Sequence, residues 1–211
     1  AGWSARQESQ FDTSVSTRGG LSVENWFHLN SSGLTPANPS MKKASLLKQA
    51  FFATASFGYD SWAYVEGTVR QEKTSTLYPG SNTFVYPSVN GSVIYSSLLK
   101  DNKPEWLDYG KIRLSYGVVG NAPEIYKAAT GYNQSAVGSY IYNQVPLALG
   151  NNEIQPEQKY EFELGWENKF LGNRLGFELS YYQNTVKDQI LQTTTSASSG
   201  GTSIWMNVGE L

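Results

Sequence analysis

Four carboxylates stand close together between Lys159 and Val186: Glu161, Glu163 and Glu167 at even spacing, and Glu178 beyond a break at Leu171-Gly172-Asn173-Arg174. Two carboxylates facing each other across a scissile bond are the equipment of a glycosidase. A spacing of two, however, places Glu161, Glu163 and Glu167 in a row on one side of an extended strand, where they read as solvated side chains. The single histidine, His28, lies in a stretch without periodicity, and a Ser-His-acid relay would have to be built on it without a nucleophile-elbow pattern. The absence of cysteine removes thiol catalysis, disulfides and thiolate metal sites together. Neither a glycine-rich phosphate loop after a strand nor a metal-ligand spacing is found. The expectation is therefore no enzyme, no metal and no cofactor. What remains is binding chemistry. Tyr126, Tyr132, Tyr140 and Tyr142 lie in the longest non-periodic stretch, and such rings stack on sugars or make broad apolar contact with a ligand or a partner.

The elements that must position these groups are strands. Tyr160, Phe162, Leu164 and Trp166 alternate with Lys159, Glu161, Glu163, Gly165 and Glu167. Leu175, Phe177, Leu179 and Tyr181 alternate in the same way with Arg174, Gly176, Glu178 and Ser180. This period of two, with Gly172-Asn173 between the arms, predicts a hairpin. Each arm reaches the ~9–11 residues that cross a bilayer at a tilt. Further strands are expected over 49–59, 62–72, 84–95 and 111–118, with a weak one over 1–10 and the opening of another from Met206. Pro87 within 84–95 is expected to make a bulge or end the strand. Arg70, Lys111 and Arg113 fall on the polar sides of their strands. Residues 11–45, with Arg18-Gly19-Gly20, Pro36 and Pro39, read as a long irregular segment, as do 73–83, 120–158 and 188–205.

Composition points the same way. Charged residues make up 16%, below the ~25% of soluble domains, while aromatics reach 14%. The formal charge of −2 argues against nucleic acid as a partner. No run of ~18 apolar residues exists, which excludes a transmembrane helix but not a transmembrane barrel, whose strands are apolar at alternate positions. Up-and-down topology would put 11–45, 73–83, 120–158 and 188–205 at one end and 60–61, 97–109 and 171–174 at the other. Outer-membrane barrels have this asymmetry of long and short connections, and a soluble up-and-down barrel can share it.

Four stretches carry a resemblance to a known family: Ala53-Thr54-Ala55-Ser56-Phe57-Gly58-Tyr59; Tyr86-Pro87-Ser88-Val89-Asn90-Gly91-Ser92; Gly110-Lys111-Ile112-Arg113-Leu114-Ser115-Tyr116-Gly117 with Gly120-Asn121; and Met206-Asn207-Val208-Gly209-Glu210. In content and order they resemble the barrel of SusC/RagA-type TonB-dependent transporters of the Bacteroidota outer membrane. Thr68 to Leu77 also looks like a segment of that family, with Glu72 and Lys73 standing where Asp and Trp are usual. The resemblance implies an all-β fold, antiparallel strands forming part of a roughly 22-stranded outer-membrane barrel. It implies one partial barrel domain over 1–211, with the plug domain and the TonB-contacting segment elsewhere in a longer protein. It further implies energised import of a glycan or oligopeptide, with a SusD-like lipoprotein and outer-membrane lipid as partners. Glu161, Glu163, Glu167, Glu178, Arg70 and Arg113 would then face the water-filled lumen, on the concave side. Tyr126, Tyr132, Tyr140 and Tyr142 would meet the nutrient or the lipoprotein lid. Tyr59, Trp62, Trp106, Tyr109, Phe170 and Leu171 would form an aromatic girdle at the short-turn end. The competing reading is a soluble or surface β-domain that binds carbohydrate through exposed tyrosines. The two differ in whether Phe162, Leu164, Trp166, Leu175, Phe177 and Leu179 meet a second layer of protein.

Overall fold

The computed structural model describes residues 1–137 and 140–211, the side chains of residues 35–38, 101 and 136 excepted. Gly138 and Ser139, inside the expected 120–158 connection, lie outside the described residues, as does the side chain of Pro36. The strands are β1 (Gly2–Leu21), β2 (Ser32–Tyr59), β3 (Ala63–Thr74), β4 (Thr83–Val93), β5 (Leu107–Asn121), β6 (Asn133–Val137), β7 (Tyr140–Gln144), β8 (Ala148–Leu149), β9 (Glu157–Phe170), β10 (Leu175–Thr194) and β11 (Ser203–Glu210). One short helix, α1 (Tyr95–Leu98), joins β4 to β5. The main sheet runs β1-β2-β3-β4-β5-β9-β10-β11-β8, and β6-β7 form a separate hairpin. Apart from β8, which adds to β11 in parallel, the main sheet is an up-and-down antiparallel meander, and among the described residues β1 and β11 are not paired with each other.

The chain divides into two units, residues 1–5 with 48–211, and residues 6–47. In the larger one, connections alternate between ends: 75–82, 122–156 and 195–202 at one, 60–62, 94–106 and 171–174 at the other. The tight turns form where the sequence places them, with positive φ at Asp60 and Ser61 (44° and 58°) and at Leu171, Gly172 and Asn173 (56°, 67° and 61°).

Four stretches expected to be irregular or weak contain ordered strand. Residues 11–45 are the arms of β1 and β2 around a 3-10 turn at Leu29–Ser31, and 1–10 belong to β1. The apolar residues of these arms, Phe11, Val15, Leu34 and Met41 among them, are few and exposed, so alternation marks them only weakly, while a ladder needs nothing but backbone N–H and C=O groups. Within this smaller unit the turn is held by Ser31 and Ser32. The amide of Ser22 donates to Ser31 O at 2.6 Å, and Ser32 Oγ accepts from Arg18 N at 2.9 Å. His28 has a structural part here: its Nδ1 accepts from Asn30 N at 3.1 Å and its ring stacks on Trp26. The Thr run after residue 191 continues β10 to Thr194, because β-branched residues suit a strand, and this shortens the 188–205 connection to 195–202. The 120–158 connection contains β6, β7 and β8. Pro87 makes no bulge and does not end β4. It pairs with Val69 of β3 in unbroken register, and the ladder from β4 to β5 begins one residue later, at Ser88↔Gly117. Its missing N–H falls on the side where pairing has stopped.

Register sorts the larger unit's sheet into two faces. One row across it reads Phe57↔Val65↔Gly91↔Leu114↔Leu164↔Tyr181, and the adjacent row reads Ser56↔Glu66↔Asn90↔Ser115↔Glu163↔Tyr182. The first face is apolar and bare: Phe57 is 72% exposed, Leu164 41%, Trp166 43% and Leu179 59%. No second layer of protein covers it among the described residues, which removes the sandwich.

At the short-turn end this face carries an aromatic cluster. The rings of Trp166 and Phe177 meet edge to face at 4.9 Å, Phe177 stacks on Phe170 at 6.3 Å, and Trp106 lies 5.7 Å from Phe170. Tyr59 and Trp62 form a second edge-to-face pair at 5.8 Å. Tyr109, expected in this girdle, is paired with Lys169 and belongs by register to the opposite, Glu167-bearing face. Tyr95 of α1 inserts instead. Its hydroxyl donates to Asn168 Oδ1 and accepts from Trp166 Nε1 at 3.3 Å. The ring lies where a side chain on Gly110 would be, since a Cβ there would sit 2.2 Å from it. Asn168 is consequently 1% exposed although it sits on the apolar face. Tyr95→Phe removes both hydrogen bonds and leaves Asn168 buried without this partner. The expected cost is about 1–3 kcal/mol, read as a lowered denaturant midpoint of the lipid-embedded protein. An unchanged midpoint would show that this cluster contributes packing alone.

Candidate functional site

The second face of the sheet holds the polar groups singled out in the sequence. Direct pairings Lys111↔Glu167↔Glu178, Ser115↔Glu163 and Gly117↔Glu161 put all four carboxylates on one side, with Arg113 beside them. Arg70 reaches the same side through Arg70↔Tyr86 in the ladder that pairs Glu66 with Asn90. The cations do not stand alone. Arg113 on β5 donates to Glu178 on β10, across the intervening β9. That span is possible because Gly165 lies beneath it, where a Cβ would come within 2.7 Å of Arg113 Nε. Arg70 grips Glu72 from Nε and Nη2 at 3.2 and 2.9 Å, and Lys159 meets Glu161 at 2.6 Å. Glu72, which departs from the Asp of the resembled segment, still supplies a carboxylate to Arg70. These groups are partly or largely exposed, so each pair contributes little to stability and the face remains polar and wet. Ser56, Glu66, Asn90, Ser92, Arg113 and Glu163 line a groove of about 600 Å³, to which Tyr64, Phe57, Val65 and Leu114 also contribute.

Where the long connections leave the sheet, a small core forms. Leu77 of the 75–82 connection and Ala128 and Ile154 of the 122–156 connection are buried against Phe84, Ile190 and Trp205. Thr74 and Thr76, both buried, join their hydroxyls at 3.0 Å beside it. The stems of the long connection are thereby fastened to the strand ends. Beyond them, the hairpin β6-β7 carries Tyr140 and Tyr142 on one face, paired with Val137 and Ser135, and Tyr132 immediately precedes it. All three are exposed, Tyr140 to 83%. Tyr126 is exposed too, outside the hairpin in sequence, with φ at 70°. The structure therefore places two of the four tyrosines on one hairpin face, with Tyr132 adjoining the hairpin in sequence and Tyr126 nearer β5.

Sequence reasoning missed the residues that do the fastening. Asn207 binds Gln155 and Asp188, and Glu157 bridges Ile190 and Asn121. Asn207 lay within a recognised motif, Met206-Asn207-Val208-Gly209-Glu210, but a motif does not show what its asparagine touches. Among the described residues no group of three or more His, Cys, Asp or Glu is placed to hold a metal ion. No helix among them is long and apolar enough to cross a membrane, which says nothing of crossing by strands.

Known proteins share this arrangement. The sequence model of a family described as TonB dependent receptor-like, beta-barrel, matches residues 2–211. TonB-dependent receptor P3 of Formosa agariphila is 25% identical over 183 residues, which are 82% of this chain and 18% of that protein. A chain of the RagAB peptide transporter superposes with a TM-score of 0.77 at 20% identity, over 99% of this chain and 24% of that one. The siderophore receptor PirA from Pseudomonas aeruginosa superposes with a TM-score of 0.52 at 14% identity, over 99% of this chain and 34% of that one. The chain spans between about a fifth and a third of the proteins it matches. The bare apolar face, the charged face behind it, the motifs of SusC/RagA type and a family match over nearly every residue agree: the chain belongs to the TonB-dependent receptor-like β-barrel family.

Proposed function

We propose that this chain is part of the wall of an outer-membrane, TonB-dependent importer of a bulky nutrient, working with a SusD-like lipoprotein at its extracellular mouth. The observation that carries the reading is the bare apolar face, backed residue for residue by a charged one. Lipid is the environment in which an uncovered row such as Phe57, Val65, Leu114 and Leu164 is stable, and a wet lumen is the one that solvates Glu161, Glu163, Glu167, Glu178, Arg70 and Arg113. The larger unit's long connections at 75–82, 122–156 and 195–202 then lie outside the cell, and its turns at 60–62, 94–106 and 171–174 in the periplasm. TonB contact and gating belong to parts of the protein outside this chain. An oligopeptide is the favoured cargo over a glycan, because the RagAB chain that superposes so fully belongs to a peptide transporter. Tyr132, Tyr140 and Tyr142, with Tyr126, supply rings at the mouth for cargo or lid, as loops on a rigid scaffold commonly do. The soluble carbohydrate-binding alternative has no observation in its favour once the apolar face is seen to be uncovered.

Three measurements on the full-length receptor test this. Cysteine placed at Glu163 should react with a membrane-impermeant maleimide, while cysteine at Leu164 should resist it and have an attached fluorophore quenched by nitroxide-labelled acyl chains; the reverse pattern would overturn the assignment of faces. Leu164→Arg should lower unfolding free energy in lipid by about 2–4 kcal/mol if the site is near the midplane. Replacing Tyr126, Tyr132, Tyr140 and Tyr142 together by Ala should weaken TonB-dependent uptake of labelled oligopeptides or capture of the lipoprotein. Both left intact would remove the tyrosines from the mouth's recognition surface.

A further inference from the structure

The residues that fasten the 122–156 connection are spent on one task. Asn207 Oδ1 accepts from Gln155 N at 2.9 Å, while its Nδ2 donates to Gln155 O at 2.9 Å and to Asp188 O at 2.7 Å. One side chain on β11 thus offers Gln155 the donor and acceptor that a neighbouring strand would offer. The third bond reaches a carbonyl turned out of the ladder, because Asp188 has φ 57° and the register of β10 against β11 shifts between Lys187 and Ile190. Glu157 closes the other side. Its Oε1 accepts from Ile190 N at 2.9 Å and its Oε2 from Asn121 Nδ2 at 3.0 Å, so one carboxylate ties the last residue of β5 and the first of β9 to the irregular step in β10. Between these points, Asn151 Nδ2 donates to Trp205 O at 3.0 Å, and Lys127 Nζ stands 4.0 Å above the Trp205 ring.

Both roots of the connection are held to β10 and β11 by directed bonds, whereas the hairpin it carries exposes its tyrosines. We propose that Asn207 and Glu157 are positioning residues for recognition: they fix the roots of the 122–156 connection so that the β6-β7 hairpin meets cargo already in place. The consequence is affinity gained without further contact, since a connection ordered beforehand need not be ordered at binding. This role in recognition rests on the import reading above; the anchoring itself does not.

The test uses the full-length receptor in lipid, with Asn207→Ala, Asn207→Asp and Glu157→Gln compared with the native protein. Asn207→Asp keeps the acceptor for Gln155 N and loses both donated bonds, and it stands in if the alanine variant fails to assemble. Amide hydrogen exchange over 122–130 and 150–156 should accelerate on the order of tenfold, least for Glu157→Gln, with β9 and β10 as protected as before. Saturation of labelled oligopeptide uptake should shift to several-fold higher concentration with the maximal rate retained. Unaltered exchange in the connection overturns the anchoring. Loosened exchange with unaltered half-saturation overturns the positioning role. A native receptor that imports no peptide, while exchange still responds to the substitutions, removes the import reading and supports the anchoring.

Discussion

A backbone surrounded by hydrocarbon has no water to satisfy it, so each strand of a membrane wall must close its N–H and C=O groups against the next strand. The rest of this structure follows from that requirement. It forces neighbours in sequence to be neighbours in the sheet, which yields the meander and alternates the connections from end to end. It fixes register, and register divides the side chains into an apolar face and a charged one without any core to sort them. It also explains why the buried core is so small. The interior of a soluble domain does its work here through the ladder and the surroundings, and Leu77, Ala128 and Ile154 bury themselves where connections leave the wall.

The larger unit was legible in the sequence wherever one face must be apolar. Alternation located the β9-β10 hairpin, its turn, the strands 49–59, 62–72 and 111–118 and the faces of all four glutamates. It failed where both faces meet water. The arms of residues 11–45 and the end of β10 are strands by virtue of their backbone ladders, to which hydroxyls such as Ser32 Oγ and Thr193 Oγ1 add bonds, and the many serines and threonines leave little period to read. Pro87 misled for a different reason: the cost of a missing donor depends on which neighbour it would have faced, and that is a property of the sheet. The candidate site divided along the same line. Charges and rings could be listed from their types, but the anchoring bonds of Asn207 and Glu157, and the meeting of Asn168 with the Tyr95 hydroxyl, depend on groups brought near by tertiary structure.

Two glycines show how a wall of repeating geometry makes room for single interactions. Gly165 leaves a gap over which the Arg113 guanidinium crosses β9 to reach Glu178, and Gly110 leaves one into which Tyr95 inserts from α1. The first ties three strands together on the charged face. The second covers a carboxamide on the apolar face, so that Asn168 meets a hydroxyl in place of hydrocarbon. In both cases the absence of a side chain on one strand lets a neighbour reach a partner that the register alone would not give it.

Pro87 has a mechanical consequence. Below it, β4 and β5 are joined from Ser88 to Val93, while β5 and β9 are joined from Leu107 to Asn121 along almost their full lengths. Shear resistance in such a wall scales with the length of ladder that must slip at once, so β2-β3-β4 and β5-β9-β10, each joined along long ladders, meet along a partial seam. Load applied from the side of the long connections reaches both groups of strands, β3 and β4 through 75–82 and β5, β9, β10 and β11 through the roots held by Asn207 and Glu157, and the seam above Ser88 is where they separate with least work.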